Sequence, residues 1–81
     1  MNVRVKLFAA AKQLAGAEEV GVEVAEPVTV ASLREAMVEQ FPTLKNLLAY
    51  TAFAVNADYV AGSASIPPGA EVACIPPVSG G

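Results

Sequence analysis

A chain of 81 residues with a formal net charge of −3 has room for one domain, and a composition that is 54% hydrophobic and 16% charged supplies a real core, which excludes a disordered tail. With no histidine and a single cysteine it cannot build Ser-His-Asp or Cys-His catalysis, zinc or iron–sulfur ligation, a CxxC redox pair or an internal disulfide. Its five basic residues are too scattered for a nucleic-acid stripe, its longest charge-free runs (46–57 and 59–70) fall short of the about 20 residues of a membrane span, and it has no GxxxxGK[ST] or GxGxxG loop for a nucleotide.

At the N-terminus, Val3, Val5 and Leu7 alternate with Arg4 and Lys6, the period of a strand with one buried face. The same charges, with Lys12, interrupt any secretory h-region, since Leu7–Ala11 is too short for one, and the expected compartment is the cytoplasm. Alanine-rich 9–15 reads as one or two helical turns closed by Gly16 as C-cap. Val20, Val22 and Val24 then alternate with Glu19, Gly21 and Glu23 in a second strand that ends at Pro27, with Glu18 and Glu19 solvated at its start.

From Thr29 the period changes. Val30, Leu33, Met37 and Phe41 fall at helical spacing, with Arg34, Glu35 and Glu39 on other sides. Thr29 is one candidate N-cap and Ser32 with Glu35 an alternative capping box; Pro42 stops the helix, because a residue before proline is pushed out of helical geometry. Glu35 and Glu39, four apart, fit a solvated helix face better than a cation site, since no other ligand type accompanies them. Residues 42–49 form a connector with buried leucines. Phe53 and Val55 run into Asn56-Ala57-Asp58 and back through Tyr59 and Val60 as a hairpin, whose Asn and Asp suit a turn rather than an acid/base pair. Pro67-Pro68-Gly69 is a turn with proline set for position i+1 and glycine for i+2. In the last strand Val72 and Cys74 share one face, with Glu71, Ala73 and Ile75 on the other. Cys74 therefore reads as a small buried hydrophobe rather than a persulfide relay thiol.

Two strands, a long helix and further strands predict an α+β domain of the β-grasp type, a mixed sheet with one main helix across one face. The expected division is a β-grasp domain over 1–75 and an extended tail over 76–81, Pro76-Pro77-Val78-Ser79-Gly80-Gly81. Taken with this order, the hairpin at Asn56 to Val60, the Pro-Pro-Gly turn before Glu71-Val72 and the Pro-Pro-Val-Ser-Gly-Gly terminus make the whole chain resemble the small, sulfur-carrying subunits of molybdopterin synthase, a ubiquitin-like family. The resemblance implies that the Gly81 carboxylate is adenylated by an E1-like enzyme using ATP and magnesium, converted to a thiocarboxylate with sulfur from a donor protein, and inserted into the large subunit of a heterotetrameric synthase. There it would pass sulfur to a cyclic pyranopterin, building the dithiolene of the molybdenum cofactor. It further implies that Gly80 flanks the carrier, that Pro76 to Ser79 form the inserting segment, and that this chain itself binds no cofactor or metal, nucleic acid or membrane.

The residues make that chemistry intelligible. An α-carboxylate with a pKa of about 3.5 is an anion at neutral pH and resists nucleophilic attack, so activation must precede sulfur entry. Glycine at both final positions removes side chains from the reacting end and opens dihedrals closed to other residues. Two prolines favour an extended path, and six residues at about 3.1 Å each project the carboxylate by roughly 19 Å. Ile75, outward-facing directly before the tail, is the expected partner-docking residue. The same terminus also fits a sulfur carrier for thiazole, cysteine or tRNA thiolation, or a ubiquitin-like tag joined to protein lysines, because this fold hosts many functions.

Overall fold

In a computed structural model that describes residues 1–77, alternation at the N-terminus becomes β1 (Asn2–Leu7), with Val3, Val5 and Leu7 buried and Arg4 and Lys6 exposed. A short helix α1 (Ala9–Ala15) follows, and Gly16 closes it in the left-handed region at φ 70°, its N–H donating to the Lys12 carbonyl at 3.0 Å. The chain returns as β2 (Glu19–Glu23), antiparallel to β1 with Val3 opposite Val22 and Val5 opposite Val20.

The main helix α2 (Val30–Gln40) starts at the earlier of the two candidate caps. Thr29 accepts the Ser32 N–H at 3.1 Å, and the Ser32 hydroxyl accepts the Thr29 N–H at 2.9 Å. Ser32 with its short side chain thus closes the box from the N3 position, and Glu35 is left to solvent. The other first-turn N–H groups are taken by a passing loop, Val30 donating to Ala64 at 3.0 Å and Ala31 to Gly62 at 2.9 Å. Pro42 ends α2 as expected. The connector is more regular than its sequence suggests: a 3-10 turn (Pro42–Leu44) leads into α3 (Lys45–Leu48), burying Leu44 and Leu48.

Strands β3 (Ala52–Val55) and β4 (Asp58–Val60) form the hairpin, with Val55 opposite Asp58. Its two central residues are therefore Asn56 and Ala57, at φ 50° and 71°, and Asp58 already belongs to β4. Asn56 does more than turn. It donates its N–H to the Glu71 carbonyl at 2.8 Å and accepts the Glu71 N–H on Oδ1 at 3.0 Å, pinning the hairpin to the start of β5 (Val72–Ile75). The Pro67-Pro68-Gly69 turn forms with Gly69 at φ 77° and Ala70 N–H donating to Pro67.

The sheet order is β2-β1-β5-β3-β4, with β5 parallel to β1 and antiparallel to β3. This mixed five-stranded sheet is the β-grasp arrangement. Its inner face (Val3, Val5, Leu7, Val22, Phe53, Val55, Val72 and Cys74) packs with Leu33 and Met37 of α2 and with Leu44 and Leu48 in one core. Among the described residues, three exposed ion pairs, Arg4–Glu19, Lys6–Glu71 and Lys12–Glu18, lie beyond it.

Candidate functional site

The strand that carries the tail is the middle one, and the sheet releases the chain at a defined residue. Phe8 donates its N–H to the Cys74 carbonyl at 3.2 Å, and in a parallel ladder the next bond would run from the N–H of residue 76 to the Phe8 carbonyl. Pro76 has no N–H to give. The Phe8 carbonyl instead accepts the Ala11 N–H at 3.1 Å, so β1 turns into α1 at the level where β5 stops. Pro76 is buried and Pro77 exposed. Pro76, expected from sequence to belong to the tail, thus packs against the domain. Val78, Ser79, Gly80 and Gly81 lie outside the described residues.

Next to this exit the outer face of the sheet is apolar. Across the five strands Glu19, Lys6, Ala73, Ala54 and Tyr59 form one row, and Ala52 pairs with Ile75 in the next. Ala52, Ala54 and Ala73 make a floor of small side chains, with Tyr59 69% exposed on one side and Phe8 47% exposed on the other. Ile75 points to this face as the alternation requires, but it is half-buried rather than fully exposed. The expectation singled out Ile75 alone. Phe8, Tyr59 and the three alanines were legible only through strand register, which places residues distant in sequence in neighbouring rows.

Cys74 lies on the opposite, inner face and is inaccessible to solvent. Burial pushes its thiol from 9.0 up to about 11, against the nearby Arg34 cation and the Thr51 side chain, which act the other way. The folded state holds the thiol proton more tightly than the unfolded one, so this contribution to stability is complete below pH 9 and is lost as pH rises toward 11. Cys74→Ala is expected to leave sulfur loading of the chain intact, to lower stability by about 1 kcal/mol in urea unfolding, and to flatten the alkaline loss. A folded variant that cannot be loaded would make Cys74 a relay thiol.

Arg34, which spacing places only off the apolar series of α2, is half-buried, donates to the Leu48 and Thr51 carbonyls and stacks over Phe53 at 4.9 Å. It adds a second donor to the Leu48 carbonyl at the C-terminus of α3, which also accepts the Thr51 N–H at 3.3 Å, and so ties the end of α3 to the start of β3. Nothing in the periodicity of α2 marks it, because its partners lie on another element.

Among the described residues no group of three or more histidine, cysteine, aspartate or glutamate side chains comes together to hold a metal. Nor is any helix there long and apolar enough to cross a membrane. The N-terminus of α2 offers no anion site either, since loop carbonyls and Thr29 already occupy its N–H groups.

What remains is a β-grasp domain with an apolar sheet face beside the root of a diglycine tail, and the profile of the ThiS family matches residues 5–81. The chain belongs to the ThiS family. This ThiS-family chain is 31% identical over 81 residues to the molybdopterin synthase sulfur carrier subunit of Arabidopsis thaliana, covering 100% of this chain and 84% of that protein. The putative molybdopterin converting factor subunit 1 of Pyrococcus furiosus superimposes with a TM-score of 0.82 at 31% identity, covering 96% of this chain and 99% of that one. SAMP1 of Haloferax volcanii gives 0.85 at 29% identity, with 100% of both chains covered. The ThiS-family assignment makes this a ubiquitin-like sulfur carrier by kinship, with the fold expected from its sequence.

Proposed function

We propose that this chain is the sulfur-carrier subunit of a molybdopterin synthase, with Gly81 as the atom-carrying residue and Gly80 beside it. The observation that carries the reading is the placement of the tail root: Pro76 ends the central strand directly beside the apolar outer face, so a partner docked on that face would receive the terminus. The names of the Arabidopsis and Pyrococcus relatives support the molybdopterin assignment. In this scheme the domain extends through Pro76, and Pro77, Val78, Ser79, Gly80 and Gly81 form the inserting segment. Five residues at about 3.1 Å give it a reach of roughly 16 Å.

The chemistry follows from the terminus. An E1-like partner joins the Gly81 carboxylate to AMP at the expense of ATP and magnesium, converting an unreactive anion into an acyl group with a leaving group. Sulfide released by a sulfur donor protein then attacks the acyl carbon, and the C–S bond forms as the C–O bond to AMP breaks, leaving the thiocarboxylate and free AMP. The large synthase subunit supplies the acceptor-site residues and the pyranopterin. This chain contributes the carrier atom, a side-chain-free approach to it and the docking face.

Co-purification from cells, with intact-mass analysis of this chain, tests the proposal. A synthase-like large subunit together with one sulfur in place of one oxygen at the C-terminus is the expected result; an unmodified terminus and a thiazole or tRNA-thiolation partner would overturn the molybdopterin reading. A second reading has its own support, since the Haloferax relative is named small archaeal modifier protein 1. Isopeptide-linked adducts of this chain on protein lysines would favour it.

Docking is tested separately. Ile75→Asp is expected to leave the circular dichroism spectrum unchanged and to weaken binding to the E1-like enzyme or the large subunit by about tenfold or more, since a central apolar contact contributes about 1 to 3 kcal/mol and a buried carboxylate opposes it. Unchanged affinity for both partners would remove Ile75 from the interface.

A further inference from the structure

β2 is an edge strand whose free side is self-complementary. Across β1 and β2, the Met1 ammonium donates to the Val24 carbonyl and the Val24 N–H to the Met1 carbonyl, each at 2.9 Å. Such pairs alternate in an antiparallel ladder, so Val22 and Val20 turn their backbone groups toward β1, while Glu23, Gly21 and Glu19 turn theirs to the open edge. At Glu23 the open groups are already engaged. Gln40, the last residue of α2, accepts the Glu23 N–H on Oε1 at 3.2 Å and donates Nε2 to the Glu23 carbonyl at 2.9 Å. One carboxamide supplies both bonds that a neighbouring strand would make there. Gly21 and Glu19 keep theirs facing outward.

The five residues of β2 read Glu-Val-Gly-Val-Glu, the same in both directions. A second copy laid antiparallel with Gly21 opposite Gly21 would therefore meet every open backbone group with its counterpart and would set valine against valine on the core side. Two features oppose this pairing. Gln40 fills the position at Glu23, and the pairing brings Glu19 of one copy directly opposite Glu23 of the other, a like-charge pair.

We propose that the β2 edge is a latent interface for a second copy of this chain, held shut by the Gln40 carboxamide in the place of a sixth strand, with the Glu19–Glu23 opposition as a second guard. Edge strands expose unpaired backbone as a template for association, and a side chain that satisfies that backbone removes the template. The guarded edge is separated from the apolar outer patch at β5 and β3 by β1, so it protects the solitary chain without covering the face on which a partner would dock.

Three full-length proteins test this by light scattering behind size exclusion at concentrations rising into the high-micromolar range: the wild type, the pair Glu19→Thr and Glu23→Thr, and that pair with Gln40→Ala. All changes are at exposed positions, and circular dichroism verifies the fold. The first two are expected to elute at monomer mass. The third is expected to self-associate about tenfold or more tightly and to slow amide exchange at Gly21 and Glu19 as the dimer fills. A triple variant that stays at monomer mass would overturn the proposal, as would equal dimerisation without the Gln40 change, a wild type already paired through β2, or dimer protection confined to strands other than β2.

Discussion

Deleting Gly81, or adding one residue after it, is expected to abolish sulfur loading of the chain while leaving its thermal midpoint nearly unchanged. The two effects separate because they rest on different parts of the molecule. The core closes within the described residues, from Val3 to Cys74, and the sheet ends at Ile75. The proposed chemistry would require a free carboxylate at one position along the tail. Truncation moves that carboxylate back by one residue, about 3 Å in an extended chain, enough to take it out of register with an adenylating site that demands near-attack geometry. Incubation with the activating partner, ATP, magnesium and a sulfur donor, followed by intact-mass measurement, gives the answer. Normal loading of the shortened chain would sink the assignment of Gly81.

The largest loss of stability is expected from Phe53→Ala. Phe53 is the bulkiest of the fully buried side chains, lies opposite Cys74 across β3 and β5, and carries the Arg34 guanidinium on its ring. Truncation removes about 3–5 kcal/mol of transfer and cavity energy, with a further ~1 kcal/mol from the cation–ring contact. A domain of this size has roughly 4–12 kcal/mol in total. The urea midpoint should therefore fall by about a third or more, and Phe53→Leu, which keeps most of the volume, should fall far less. A loss for the alanine variant below about 1 kcal/mol would mean that the core collapses around the gap and that Arg34 needs no ring beneath it.

Periodicity revealed what is local. Val3, Val5 and Leu7, the helical series from Val30 to Met37, and Val72 with Cys74 all occupy the faces that their spacing predicts, because burial on one side is written at every second or at every third to fourth residue. Pro67-Pro68-Gly69 and Gly16 were equally legible, since the backbone angles there admit few residue types. Long-range contacts were not. Arg34 on the Leu48 and Thr51 carbonyls, Asn56 against Glu71, and Gln40 against Glu23 each join elements whose separation in sequence carries no rhythm. Choosing Thr29 over Ser32 as the cap was likewise a tertiary decision, settled by loop carbonyls of Ala64 and Gly62 that take up the neighbouring N–H groups. The apolar outer face lay between these cases: its members alternate correctly, but only the register of five strands shows that they meet.

Pulling on the tail would load the fold in its mechanically strong direction. A peripheral strand drawn from its end peels away one hydrogen bond at a time, and each rupture needs little force. β5 lies between β1 and β3, so a pull along its axis meets bonds on both flanks, set across the line of force and strained together. Pro76 adds a joint at the strand's end, since without an N–H it passes no tension into the β1 ladder. In the proposed cycle, a terminus drawn into one partner and withdrawn toward the next would tug on the domain repeatedly, and this strand order would keep it shut.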